Sequence, residues 1–155
     1  MSNKGKEFEV KFKQDFTSSI PNSTIDRLYD PVNGYVSISN IADFIGFKAP
    51  NIFYLECKTH KGASLPFVNI TQYDKLKAKV GIPGVRAGVI LWLYEKDIVM
   101  YIPISTITKM KADGKKSVGL KAIQEGYNIK IIPSVKKRIF MDSDYSCLCN
   151  LEDGE

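Results

Sequence analysis

The order of apolar periodicities along the chain predicts an α/β sandwich, a mixed central sheet with helices packed on its faces. Three observations carry that expectation. Phe8, Phe12 and Phe16 recur every four residues and give an opening helix one apolar face. Residues 52–58 and 85–94 are short apolar runs, rich in aromatic and aliphatic side chains, that read as strands. Between them, residues 69–80 place Ile70, Tyr73, Leu76 and Val80 on one helical face.

The elements follow in order. The opening helix spans residues 3–16 and is ended by Ile20-Pro21-Asn22-Ser23. Thr24 to Tyr29 reads as a strand, Asn33-Gly34 as a hairpin turn, and Tyr35 to Ser39 as the returning strand. Residues 40–47 form a short apolar segment carrying one acid, Asp43, and residues 48–51 a turn. After the strand at 52–58 and a loop at 61–64, the helix at 69–80 is stopped by Gly81-Ile82-Pro83-Gly84. Glu95-Lys96-Asp97 turns the long strand into a partner at 98–102. A helix starting near Pro103, a short helix at 120–124 and a final strand at 127–132 complete the reading. Residues 1–141 are expected to be one domain, and residues 142–155 a frayed acidic tail.

Composition narrows the classes. Of 155 residues, 44% are hydrophobic and 25% charged, ordinary for a soluble globular chain. No apolar run is long enough to cross a membrane, and the polar start of the chain carries no secretory signal. Three cysteines, an odd number with Cys147 and Cys149 two apart, fit a reducing cytoplasm better than a disulfide framework. With His60 the single histidine, a structural zinc site lacks ligands. The net charge is +5, and Glu152, Asp153 and Glu155 crowd the end, so the rest is more basic still. Such a balance suits a polyanionic partner, or simply a mildly basic surface.

The chemistry centres on Asp43, Glu56 and Lys58. Glu56 and Lys58 are two apart on a strand and so share a face. An isolated pair of that kind is usually a plain ion pair. With Asp43 nearby, however, two carboxylates could hold Mg²⁺, a hard cation that prefers oxygen and keeps several waters. Lys58 could then orient an attacking water or stabilise charge on a phosphate.

Asp43, twelve intervening residues and Glu56-Cys57-Lys58 together resemble the PD-(D/E)XK nuclease motif, with Ala42 where the motif has proline. The residues that follow, Thr59, Ser64-Leu65-Pro66-Phe67, Asn69-Ile70 and Gln72, resemble the RecU-type Holliday junction resolvases, as do Gly5 and Glu9 in the opening helix. The resemblance covers residues 3–103 and implies a restriction-endonuclease-like fold. It implies a Mg²⁺-dependent endonuclease (Mn²⁺ as substitute) that resolves four-way DNA junctions by paired nicks, leaving 5′-phosphate and 3′-hydroxyl ends. Glu9, Asp43, Glu56, Lys58 and Gln72 would be catalytic. Asp43, Glu56 and the Cys57 carbonyl would bind metal. Residues 20–39, with Arg27, would form a short stalk entering the junction. Two symmetric nicks imply a homodimer. A compact enzyme of this type suits a phage or Gram-positive bacterial source. Other nucleases of the superfamily, of restriction or repair type, and a non-catalytic DNA-binding protein on the same fold are the alternatives.

Further candidates for DNA phosphate are Lys61, and Lys75, Lys77 and Lys79 on the helix that follows; a solvated helix face explains the last three equally well. Lys136-Lys137-Arg138 is a similar case. Tyr54, Trp92 and the Cys57 side chain read as packing residues, and His60 as a surface residue.

Overall fold

The computed structural model describes residues 3–29 and 40–155. Helix α1 (Lys4–Ser19) begins at Asn3, whose side chain accepts the Lys6 N–H. It runs a turn longer than its phenylalanine pattern predicts, because Ile20 is also buried and continues the apolar face. Strands β1 (Thr24–Arg27), β2 (Phe44–Lys48) and β3 (Asn51–His60) follow. The chain then forms β4 (Ser64–Pro66), α2 (Tyr73–Lys77), β5 (Val85–Leu93), β6 (Ile98–Pro103) and α3 (Ile104–Ala112). It closes with β7 (Ser117–Gly119), α4 (Leu120–Gln124), β8 (Lys130–Ile132), β9 (Ser134–Lys136) and β10 (Met141–Ser143).

The main sheet has the order β1-β2-β3-β5-β6-β8. Strands β3 and β5 are parallel at its centre and the other pairs are antiparallel, so the sheet is mixed as predicted. Both central strands are covered on two faces, which is why β5 is apolar almost throughout. One face packs on α1, where Phe12 meets Phe16, Phe44 and Tyr145 edge to face at 4.9–5.8 Å between ring centroids. The other face packs on α2, α3 and α4 through Leu76, Ile107, Met110 and Ala122. Gly88 on β5 has no side chain where the ring of Tyr101 lies against it, so that ring can cross the sheet.

Four expectations change. Residues 69–80 are not one helix: a 3₁₀ turn at Phe67–Asn69 precedes α2, which is a single turn and a half. Ile70 and Leu76 still face the core, so the periodicity reported burial correctly and helix length wrongly. The strand expected at 127–132 is only β8, at 130–132, since the preceding residues turn off α4, and it is not the last, because β9 and β10 follow it. The described part of the expected stalk is sheet: β1 pairs antiparallel with β2 and buries Ile25. The remaining stalk residues, with the Asn33-Gly34 turn and the returning strand at 35–39, lie outside the described residues.

The fourth change is the tail, which does not fray. Tyr145, Leu148 and Leu151 are buried against the α1 side of the sheet. The Ser143 N–H donates to Asp15 Oδ2 at 3.0 Å and the Tyr145 N–H to Ser19 Oγ at 2.9 Å, tying the tail to α1. Arg86, only 5% exposed on β5, donates to Asp153 Oδ1 and to the Leu151 carbonyl, both at 2.9 Å. A buried guanidinium needs such partners, and the acidic tail supplies them.

Candidate active site

The β2–β3 hairpin explains why an acid at 43 and an acid at 56 meet. Phe44 pairs with Leu55, so the same register carried one step further sets Asp43 against Glu56. The twelve residues between them are the two strands and the turn at 49–50. Along β3, Phe53, Leu55 and Cys57 join the core beneath α1, while Tyr54 packs on the opposite face with α2–α4. Glu56 and Lys58 share the parity of Tyr54 and meet each other, Lys58 Nζ lying 3.3 Å from Glu56 Oε1.

Glu56 is 2% exposed, and its second oxygen, Oε2, is buried without a hydrogen-bond partner. Asp43 Oδ2 accepts the backbone N–H of Cys57 at 2.8 Å. Behind Asp43 lies a second acid. Glu9 of α1 receives Arg27 Nε at 2.9 Å and Nη2 at 3.3 Å, and Arg27 Nη2 also stands 3.7 Å from Asp43 Oδ1. Arg27 thus bridges Glu9 and Asp43. It additionally donates to the carbonyls of Leu28 and Asp43.

Burial raises both central carboxylates above their ordinary pKa. For Glu56 the lost hydration outweighs Lys58, which favours the charged form, and the Asp43 charge adds to the rise. For Asp43 burial again leads, opposed by the Cys57 amide, reinforced by Glu9, and eased by Arg27 and Lys58. Two enclosed acids that resist ionisation, one with an oxygen that nothing in the protein satisfies, form an environment that a cation would stabilise. Among the described residues no group of three or more His, Cys, Asp or Glu side chains is arranged to hold a metal. Asp43 and Glu56 with the Cys57 carbonyl would be a sparser donor set, of the kind suited to a cation that keeps its own water.

Other predicted residues fall in different places. Gln72 stands at the N-terminal end of α2, and its backbone amide favours the charged form of Glu56. The Cys57 side chain is in the core, and burial pushes its thiol well up. Arg27, expected on a stalk, stands on β1 with its guanidinium committed to Glu9 and Asp43. Lys61 and Lys75 are exposed, on the β3–β4 loop and on α2. Lys79 holds its ammonium 5.3 Å from the ring centroid of Tyr54, on the face of β3 that carries Glu56. Lys136 and Lys137 are largely engaged with Asp97 and Asp142. The bridging role of Arg27 had no signal in the sequence, since Glu9 and Arg27 are related by no spacing rule and meet only where α1 crosses β1.

Among the described residues no helix is long and apolar enough to cross a membrane. No protein family and no curated protein matches the chain. Among solved structures, the fold is similar to Hjc, a Holliday junction resolvase from the archaeal hyperthermophile Archaeoglobus fulgidus. The TM-score is 0.58 at 16% identity, over 80% of this chain and 95% of that one. The likeness establishes the fold.

Proposed function

We propose that this protein is a Mg²⁺-dependent DNA endonuclease selective for branched duplexes, and that it resolves four-way junctions. The observation that carries the proposal is the unsatisfied Glu56 Oε2, buried beside Asp43 and Lys58 midway along a central strand. The fold is one that a known Holliday junction resolvase shares, which supports the substrate class.

In this reading Asp43, Glu56 and the Cys57 carbonyl hold the metal, with Glu9 acting directly or through water. The bound cation would supply charge neutralisation at the scissile phosphate and a more acidic water. Lys58 donates hydrogen bonds to the attacking water and to the charge that develops on phosphate oxygen. Gln72, at the start of α2, orients the same water or phosphate. Water adds to phosphorus, the bond to the 3′-oxygen breaks, and a 5′-phosphate remains. Arg27 keeps Glu9 and Asp43 in place. Lys61, Lys75 and Lys79 contact flanking phosphates. Paired nicks in a symmetric junction call for a homodimer with one site per subunit. Action on DNA in the cytoplasm, and a phage or Gram-positive source, belong to the same reading.

The test is cleavage of a labelled synthetic four-way junction against linear duplex of the same sequence in Mg²⁺, with Lys58→Ala as control. Paired nicks in the junction alone, reduced at least about 100-fold in the variant, are expected. Equal cutting of both substrates would leave a nuclease of restriction or repair type. Tight junction binding with no cutting would leave a DNA-binding protein on this fold.

A further inference from the structure

We propose that a cavity at the far end of β3 binds a phosphate of the nucleic-acid backbone, adjacent along the strand to the phosphate that is cut. The proposal rests on the nuclease reading above and adds a second anion site to it. The cavity is open, about 600 Å³ in volume, and lined by Asn3, Lys4, Gly5, Thr59, His60, Lys61 and Tyr94.

Its charge is uncompensated. Among the described residues, Lys4, His60 and Lys61 pair with no carboxylate. Glu95, beside Tyr94, turns its carboxylate onto the Gly62 N–H at 3.1 Å. The Lys4 ammonium stands 5.0 Å from the Tyr94 ring centroid and 5.7 Å from that of Trp92. Aromatic faces hold a cation in position without neutralising it. Asn3 satisfies the Lys6 amide at the start of α1, and the Lys4 and Lys61 side chains bring full positive charges to the cavity.

The cavity also has room at Gly5. A Cβ there would meet only Asn3 Oδ1, at 3.5 Å, so packing within the protein does not require glycine. Alanine would suit the helix better by about 1 kcal/mol. Space at that position admits the close approach of a ligand.

Position relates the cavity to the site. His60 lies two residues beyond Lys58 on β3, about 7 Å along the strand. Gly5 lies one turn before Glu9 on α1, about 6 Å away along the helix. The two elements that carry Lys58 and Glu9 therefore both run on into the cavity. A polyanion with one phosphate at Lys58 brings a neighbouring phosphate within reach of Lys4 and Lys61, with the Tyr94 ring beside its sugar.

Two variants test this, a Lys4→Gln, Lys61→Gln double substitution and Gly5→Gln, which fills the cavity without changing charge. Anisotropy of labelled duplex and junction DNA is measured without divalent metal at several salt concentrations. The double variant is expected to bind about 10-fold more weakly with a salt slope shallower by about 1–2. Gly5→Gln is expected to weaken binding at a melting temperature no lower than that of the unaltered protein. Affinity and slope equal to those of the unaltered protein would overturn the proposal, while cleavage in Mg²⁺ would still report separately on the nuclease reading. If the unaltered protein neither binds nor cuts DNA, that reading fails, and inorganic phosphate is titrated against the His60 ring resonances. A shift that disappears in the double variant then supports a phosphate pocket for a free phosphate compound; no shift overturns it.

Discussion

An acid as enclosed as Glu56 holds its proton more tightly in the folded chain than in the unfolded one, and this sets the pH dependence of stability. Its folded pKa is raised above the ordinary 4.5. Above that value the unfolded chain releases a proton that the fold retains, so stability falls as pH rises from the unfolded toward the folded pKa. In metal-free protein, Glu56→Gln is therefore expected to melt higher than the unaltered chain at neutral pH. The gain should vanish below about pH 4, where both states are protonated. Melting curves in chelator across this range check it, and a variant less stable at pH 7 would mean the Lys58 contact outweighs burial. Arg27 acts in the opposite sense on Asp43, favouring its charged form. Arg27→Gln should move the acid limb of the cleavage pH profile to higher pH, with partial restoration in Arg27→Lys. A uniform loss of rate with no displacement of the limb would assign Arg27 a role in the fold alone.

At the scale of elements, the hairpin of β2 and β3 and the closing segment behave differently from what composition suggests. The hairpin sets Asp43 against Glu56 through register alone, so a one-residue insertion in the turn would separate them. The closing segment looks acidic and solvated. Its apolar residues, Tyr145, Leu148 and Leu151, recur at three-residue spacing and complete the core beneath α1. Tyr145→Ala is expected to cost about 3–4 kcal/mol in urea unfolding, since the ring is fully enclosed and meets Phe12 edge to face at 4.9 Å. A loose tail would lose less than about 0.5 kcal/mol.

For the whole molecule, the two layers of helices enclose a sheet that carries a buried acid with an unsatisfied oxygen, Glu56, midway along a central strand. Folding therefore carries an electrostatic cost that a divalent cation can offset. Mg²⁺ should stabilise the chain by about 2.7 kcal/mol at 100 times its dissociation constant. The effect should be read as a rise in melting temperature that is absent in Asp43→Asn. An equal rise in both proteins would place the ion elsewhere on the surface. The same arrangement shows what sequence reasoning could reach. The α/β class, the central strands and the shared face of Glu56 and Lys58 were legible because each follows from a local period of two or near four residues. The length of α2 was not, because Ile70 and Leu76 report burial equally well from a 3₁₀ turn and from a helix.

The sequence by itself determined the quantities that repeat along the chain: which residues are apolar, at what spacing, and which charged groups stand two apart on one strand. It also made Asp43, Glu56 and Lys58 readable as a unit, through motif spacing that a hairpin happens to preserve. Only the tertiary structure decided that Arg27 bridges Glu9 and Asp43, that Arg86 draws Asp153 and the final residues onto the sheet, and that Lys4 and Lys61 line one cavity. These contacts join residues far apart in sequence. They depend on where α1 and the closing segment cross the sheet, which is set by the summed packing of the core and by no local pattern of residues.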